Sequence, residues 1–316
     1  MGEFELIRQF FQPLAAAGGS SQLLLGPGDD CAIQRVPPGR DLVFSVDTLV
    51  EGVHFPERYS PFNLGWRSLA VAASDLAAMG AVPVCFTLAL TLPEANEHWL
   101  SDFAEGLAKA SAAFGITLAG GDTTRGPLTL SIQVHGTVAE GKCLRRSGAA
   151  PGDLVCVSGT FGDAGAALPY LDTVKPSPLQ KAVLTQYHHP QPRVTLGQQL
   201  VGYASAAIDV SDGLLADLQH VLAASGVGAR VQVDEVPLSA ALQELHGNKA
   251  IELALTAGDD YQLCVTISPG QWSRLSEQVR AELTVIGQIE AEPGLRLEGG
   301  EEGISIQGFD HFGRTV

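Results

Sequence analysis

A chain of 316 residues exceeds what one hydrophobic core ordinarily organises, so two domains are expected. Acidic residues outnumber basic ones 35 to 19, a formal charge of −16 that excludes a clustered basic face for nucleic acid. An anionic substrate stays admissible only if bound cations bridge it to the protein.

In chain order, residues 3–16 place Phe4, Leu6, Ile7, Phe10, Phe11 and Leu14 at helical spacing, with Gly18-Gly19 as the stop. Strands are expected at 22–25, 31–34 and 41–47. Pro61 opens a helix that runs to Met79 and closes on Gly80. A strand follows from Pro83 to Leu92, Asn96 caps a helix from Glu97 to Phe114, and short strands cover 116–119 and 128–138. The turn-rich run Arg145 to Asp153 marks a boundary between domains at 1–148 and 149–316. Beyond it come a strand at 154–157, helices near 163–171, 177–187 and 193–203, and a strand at 205–209. A helix at 212–224 carries Leu214, Leu215, Leu218, Val221 and Leu222 on one stripe. Then a strand at 229–233, a helix near 238–246, a strand at 261–267, a helix at 270–281 and a strand at 284–289 complete the pattern, with weak strands in 291–316. Alternation of this kind means two α/β domains.

The five cysteines (31, 85, 143, 156 and 264) show no Cys-x-x-Cys spacing and read as reduced thiols. MGEFELIRQFF lacks a basic leader region, Leu6 stands where a myristoylation signal wants Ser or Thr, and Gly80 and Pro83 interrupt the apolar run 76–92. The expectation is a cytoplasmic protein.

Chemistry concentrates in carboxylates at the ends of apolar runs: Asp29-Asp30 after a glycine-punctuated turn, Asp47 after Leu42–Val46, Asp75, Gly121-Asp122, and Asp209 with Asp212. Such a set suits a hard cation, since Mg²⁺ prefers carboxylate oxygens and water. Asp75 has no other charge within seven residues on either side, and burying a lone carboxylate costs several kcal/mol. It must meet a metal, a cation or donors; the alternatives are the N-cap of a broken helix or a narrow wet face. The paired glycines before Asp122 suit a phosphate-cradling loop, or a tight hairpin turn. Ser211 or Asp212 is a natural N-cap, which leaves Asp209 unexplained. His54 follows the Asp47 strand as a ligand contact or an ordinary loop histidine, and His188-His189 reads as a structured turn before Pro190 rather than a metal pair. No P-loop, protein-kinase, dinucleotide or nucleophile-elbow motif occurs.

In combination, GDDCA (28–32), SVDTLVEGVHF (45–55), SDLAAMGA (74–81), GGDTTRG (120–126), RSGAAPGD (146–153), IDVSDGL (208–214), AGDDYQL (257–263) and GFDHF (308–312) resemble the thiamine-monophosphate kinase family over the whole chain. The GDD and GGD pieces are shared with the wider PurM-like superfamily of aminoimidazole-ribonucleotide synthetase, selenophosphate synthetase and the hydrogenase-maturation protein. VEGVHF and GFDHF point to the thiamine enzymes. The resemblance implies a mixed α/β (α+β), two-domain PurM-like fold. Its N-terminal sheet would pair across a homodimer, and a C-terminal α/β domain would complete a cleft for ATP. It implies Mg²⁺-dependent transfer of the ATP γ-phosphoryl group to thiamine monophosphate. The implied metal ligands are Asp30, Ser45, Val46, Asp47, Asp75, Asp122, Asp209 and Asp212. Glu105, Gly121, Asp122, Arg146 and Ser211 match nucleotide contacts, and His54, Asp259 and Phe309 match positions near the acceptor. No catalytic group is implied beyond the metal ligands and Arg146.

Two departures stand out. Val46 replaces the family's Thr, so a metal contact there falls to its backbone carbonyl, and AGDDY shortens the usual glutamate to Asp259 by one methylene. The alternatives are another ATP-dependent synthetase of the superfamily, which needs no His54, Asp259 and Phe309, and a non-catalytic Mg-nucleotide-binding dimer. Neither a reactive cysteine with basic neighbours nor a C-terminal cysteine supports the selenium or hydrogenase roles.

Overall fold

A computed structural model of the chain describes residues 2–17 and 20–299. Gly18, Gly19 and the terminal GFDHF with Phe309 therefore lie outside the described residues. The chain divides into two compact units, Met1–Leu76 with Ala81–Cys143, and Ala77–Gly80 with Leu144–Val316.

The first unit begins with helical turns α1 (Glu3–Leu6) and α2 (Gln12–Ala17) joined through a π-helical stretch, Ile7–Phe11, where a plain helix was expected. Strands β1 (Leu23–Leu25) and β2 (Ile33–Gln34) form a small antiparallel pair. The main sheet contains β3 (Arg40–Val50), β4 (Val82–Leu92), β5 (Thr117–Arg125) and β6 (Thr129–Ala139) in the order β3-β6-β4-β5. Only β4 and β5 run parallel. Its buried face carries Phe86, Leu88 and Leu90 of β4 and Leu130, Ile132 and Val134 of β6. The period-2 alternation of each strand fixes that face.

Helices α3 (Pro61–Ala78) and α4 (Glu97–Phe114) complete this unit. Asn96 caps α4 as expected, its side chain accepting from Trp99 N at 3.0 Å, and Gly115 ends the helix at φ 64°. Leu100, Phe103, Leu107, Ala110 and Phe114 recur at helical spacing and are buried. The two helices cross through reciprocal glycine notches. A Cβ on Gly65 would lie 2.2 Å from the Phe103 carbonyl oxygen, and one on Gly106 would lie 2.0 Å from that of Phe62. No residue but glycine fits either place at this spacing.

The second unit is built on a six-stranded sheet. Its strands are β7 (Leu154–Ser158), β8 (Ala204–Asp209), β9 (Gly228–Gln232), β10 (Leu263–Ile267), β11 (Leu283–Glu290) and β12 (Gly294–Glu298), ordered β12-β9-β11-β7-β10-β8. Only β9 and β12 are parallel. The alternating helix–strand pattern therefore yields mainly antiparallel sheets in both units, the mixed form of the expected fold class.

Its helices are α5 (Asp163–Ala167), α6 (Pro178–His188), α7 (Val194–Leu200), α8 (Leu214–Ser225), α9 (Ala240–His246), α10 (Ala250–Thr256), α11 (Pro269–Trp272) and α12 (Glu277–Ala281). Helix α6 starts with a reciprocal capping box between Ser177 and Gln180 and has Pro178 in its first turn. A core of Cys156, Leu196, Leu200, Ala207, Leu263, Val265, Ile267, Leu275 and Val279 packs against one side of the sheet. Two expectations change here. The helix expected over 270–281 is two short ones, because Ser276 accepts from Val279 N and starts a new helix. Helix α10 was not foreseen, and its first residue follows Lys249, which makes no side-chain cap.

Candidate active site

Strand β3 is the spine of the first acidic cluster. Alternation places Ser45, Asp47 and the buried Leu49 on one face, and Leu42, Phe44, Val46 and Thr48 on the other. Asp75 sits within the uninterrupted helix α3, so it is not the cap of a broken helix. The Ser45 hydroxyl donates a short hydrogen bond to the Asp75 carboxylate. Burial, reinforced by the nearby charge of Asp75, pushes the Asp47 carboxyl up to about 7. Two carboxylates crowded in this way, with a hydroxyl beside them, form an all-oxygen donor set that a divalent cation would relieve. Among the described residues, however, no three His, Cys, Asp or Glu side chains converge as a ready-made metal cage.

A cavity of 1060 Å³ forms the second feature of this unit. Asp29 and Asp30 of the glycine-rich turn, Gly121 and Asp122 of β5, and Arg8 and Gln12 of the N-terminal helix line it. Ser45, Asp47 and Asp75 are outside that lining. The expected loop at Gly120-Gly121-Asp122 is neither a free loop nor a hairpin turn. These residues lie inside β5, with Gly121 opposite Leu88 and Asp122 opposite Ala89 of β4. The glycine is required by strand proximity, because a Cβ on Gly121 would lie 1.9 Å from the Leu88 carbonyl oxygen. Its absence leaves bare backbone facing the cavity beside an exposed carboxylate.

In the second unit, Asp209 ends β8 and is buried, while Ser211 and Asp212 form a half-exposed turn before α8. Neither is the N-cap. That position is Gly213, which makes no side-chain cap hydrogen bond. The turn is held from behind instead, Asp217 Oδ2 accepting from the backbone N–H of both Ser211 and Asp212 at 3.0 Å each. Burial pushes the Asp217 carboxyl up to about 6, against those hydrogen bonds.

The segment 258–262 braces the same turn. Asp259 N donates to Ser211 O, Tyr261 N to Val210 O, and Val210 N to Gln262 O, each at 2.8 Å. Asp259 and Tyr261 adopt positive φ (70° and 50°), and the Tyr261 hydroxyl donates to Asp259 Oδ1 at 2.8 Å. Between them, Asp260 is buried and takes the Gly162 N–H on both oxygens; desolvation drives its carboxyl well above the usual range.

The remaining expected residues scatter. His54 ends the turn after β3, and its Nδ1 accepts from Val50 N at 3.0 Å. Glu105 is on the exposed side of α4, outside the cavity lining. Arg146 is exposed, and its carbonyl accepts from the Ser225 hydroxyl. Val46 is 61 % exposed on the face of β3 opposite Asp47. Sequence reasoning missed Asp217, Asp260 and the cavity-lining Arg8. The one available signal was a carboxylate, Asp217, inside the apolar stripe of α8.

Two α/β units, with Asp47, Asp75 and Asp122 in the first and Asp209 and Asp212 in the second, match the AIR synthase related proteins. Models of that family's N-terminal and C-terminal domains match residues 28–138 and 150–300. Within it, this chain belongs to the thiamine-monophosphate kinase family. It is 42 % identical to the thiamine-monophosphate kinase of Salmonella typhimurium over 98 % of each chain. The crystal structure of thiamine-monophosphate kinase from Stenotrophomonas maltophilia K279a superposes with a TM-score of 0.87 at 43 % identity, covering 95 % of this chain and 98 % of that one. A structure described as AaThiL complexed with AMPPCP and TMP gives 0.79 at 31 % identity, covering 98 % and 97 %.

Proposed function

We infer that the protein transfers the γ-phosphoryl group of ATP to thiamine monophosphate, forming thiamine diphosphate and ADP. The observation that carries this reading is full-length similarity at 42 % identity to a thiamine-monophosphate kinase, supported by a fold shared with a relative bound to AMPPCP and TMP. In this reading the Mg²⁺ ligands are Asp30, Ser45, the Val46 carbonyl, Asp47, Asp75, Asp122, Asp209 and Asp212. Bound there, the cation would supply charge neutralisation for the polyphosphate.

The chain's own groups bind and orient. Ser45 fixes the Asp75 carboxylate by donating to it. Gly121 offers backbone without a side chain, and Arg146, Ser211 and Glu105 are assigned to the nucleotide. The hydrogen bond from Val50 N to His54 Nδ1 makes Nε2 the protonated nitrogen of the neutral ring, a donor matched to a phosphate oxygen. Asp259 is assigned to the acceptor, its carboxylate steered by Tyr261. An acceptor phosphate is already ionised at neutral pH, so the reaction asks for alignment of two anions rather than a strong base. Transfer is direct and in line, without a phosphorylated protein.

The active form is a homodimer, for which the support is the outward face of the main sheet. Leu42, Phe44 and Val46 are 40 %, 61 % and 61 % exposed on β3. The domains expected at 1–148 and 149–316 are proposed as the folding and functional divisions.

The test is product formation from thiamine monophosphate and ATP, with Mg²⁺ and with a chelator. Unphosphorylated thiamine and formylglycinamidine ribonucleotide run beside it as acceptors. Cation-dependent thiamine diphosphate from the monophosphate alone is expected. Product from neither thiamine compound would overturn the reading.

A further inference from the structure

We propose that Asp217 is a positioning residue, whose buried carboxylate fixes the Ser211–Asp212 turn in the shape that presents both side chains to the nucleotide and its cation. The inference rests on the assignment of Ser211 and Asp212 given above. Asp217 lies in the first turn of α8 and is 3 % exposed. One oxygen, Oδ2, accepts from the Ser211 and Asp212 amides together. Two amides on one anionic oxygen are charge-assisted hydrogen bonds, strong enough to hold a turn whose residues would otherwise sample several conformations.

The alternative design is simpler and is not used. Ser and Asp are the preferred N-cap residues, and either could have closed the start of α8 with its own side chain. The chain puts Gly213 at the cap instead and assigns the backbone of the turn to a carboxylate five and six residues downstream. A buried acid beside a second acid, Asp212, is expensive, whereas an apolar residue would seat the helix more cheaply. The arrangement makes physical sense if the turn's two polar side chains have other work. The opposite side of the same turn is pinned as well. Asp259 N donates to the Ser211 carbonyl, and Gly258 approaches so closely that a Cβ there would lie 2.2 Å from that oxygen. The turn is therefore clamped at its amides by Asp217 and at its carbonyl by 258–259.

The experiment combines amide hydrogen exchange with steady-state kinetics on the full chain. Variants are Asp217→Ala, which removes the acceptor, Asp217→Asn, which keeps one neutral acceptor oxygen, and Asp217→Glu, which displaces the acceptor by one methylene. Asp217→Ala is expected to lose exchange protection at Ser211 and Asp212 and to raise KM for ATP by about 10-fold or more, with a smaller change in KM for the phosphate acceptor. Asp217→Asn should recover most of both losses. If the alanine variant does not fold, the glutamate variant carries the same expectations. Unchanged protection at the two amides would overturn the proposal. So would lost protection, or a lowered melting temperature, with an unchanged KM for ATP. Ser211→Ala and Asp212→Asn run in parallel. If these also leave the KM for ATP and the Mg²⁺ requirement unchanged, the assignment of the turn to the nucleotide falls too; if they alter them, only the role of Asp217 falls.

Discussion

Asp47 and Asp75 work against the stability of their own unit. Burial and mutual repulsion raise the Asp47 carboxyl to about 7, and the Ser45 hydroxyl settles only one of the two carboxylates. Asp75→Asn should therefore raise the midpoint of thermal unfolding while lowering kcat/KM by at least about 10²-fold, the scale of losing one charge-organising group. Calorimetry and the coupled assay on the same preparation check both halves; a destabilised but active variant would contradict them. Asp163 gives a prediction in pH. Desolvation raises its carboxyl from 3.8, partly countered by hydrogen bonds from Ser239 and Thr160. The folded protein thus holds its proton more tightly than the unfolded chain. The stability that Asp163 contributes is complete below the ordinary carboxylate value and lost as pH rises through the folded value. Relative to wild type, Asp163→Asn should gain stability as pH rises above the ordinary carboxylate value; a difference in melting temperature that stays flat with pH would contradict this. Asp75 could be singled out from sequence because an isolated acid in an apolar helix needs a reason. Asp163 and Asp260 could not, since their burial depends on which loops close over them.

Elements were legible where local chemistry decides them. The Asn96 cap and Gly115 stop of α4 follow from backbone hydrogen bonding within a few residues, and both are found where expected. The GGD segment was misjudged because Gly121 serves a neighbour, Leu88, that is more than 30 residues away in sequence. Strand β4 comes so close to Gly121 that no side chain fits, and nothing in GGDTTR itself announces that partner. The start of α8 failed for a related reason, as the residue that holds it is downstream rather than at the cap. The α3–α4 crossing supplies the test at this scale. Gly106→Ala places a methyl carbon 2.0 Å from the Phe62 carbonyl, so the helices must separate. A loss of about 1–3 kcal/mol is expected from overpacking, read as a lower denaturant midpoint, whereas an exposed-site change such as Gly270→Ala should move it little. Equal effects at the two positions would mean that the notch is not tight.

For the whole molecule, composition bounded the answer more than it described it. A charge of −16 argued against a nucleic-acid partner and made cations the expected bridge to an anionic substrate, and length implied two bodies; the mainly antiparallel strand order of each sheet was not readable, because pairing partners are chosen across long separations. The face formed by Leu42, Phe44 and Val46 carries the prediction at this scale. Phe44→Glu should convert a dimer into a monomer in sedimentation velocity, and a wild-type monomer at all concentrations would remove the proposed assembly. The same face has a bearing on biogenesis. Strand β3 is an edge of its sheet, 11 residues long, with apolar side chains at alternate outward positions. Until something covers it, a newly made chain presents a template to which any extended apolar segment can add. Yield of soluble protein should then depend on how quickly chains find their proper contact. Slow synthesis at low temperature, or a holdase present during translation, would favour recovery more than any gain in the stability of the finished fold.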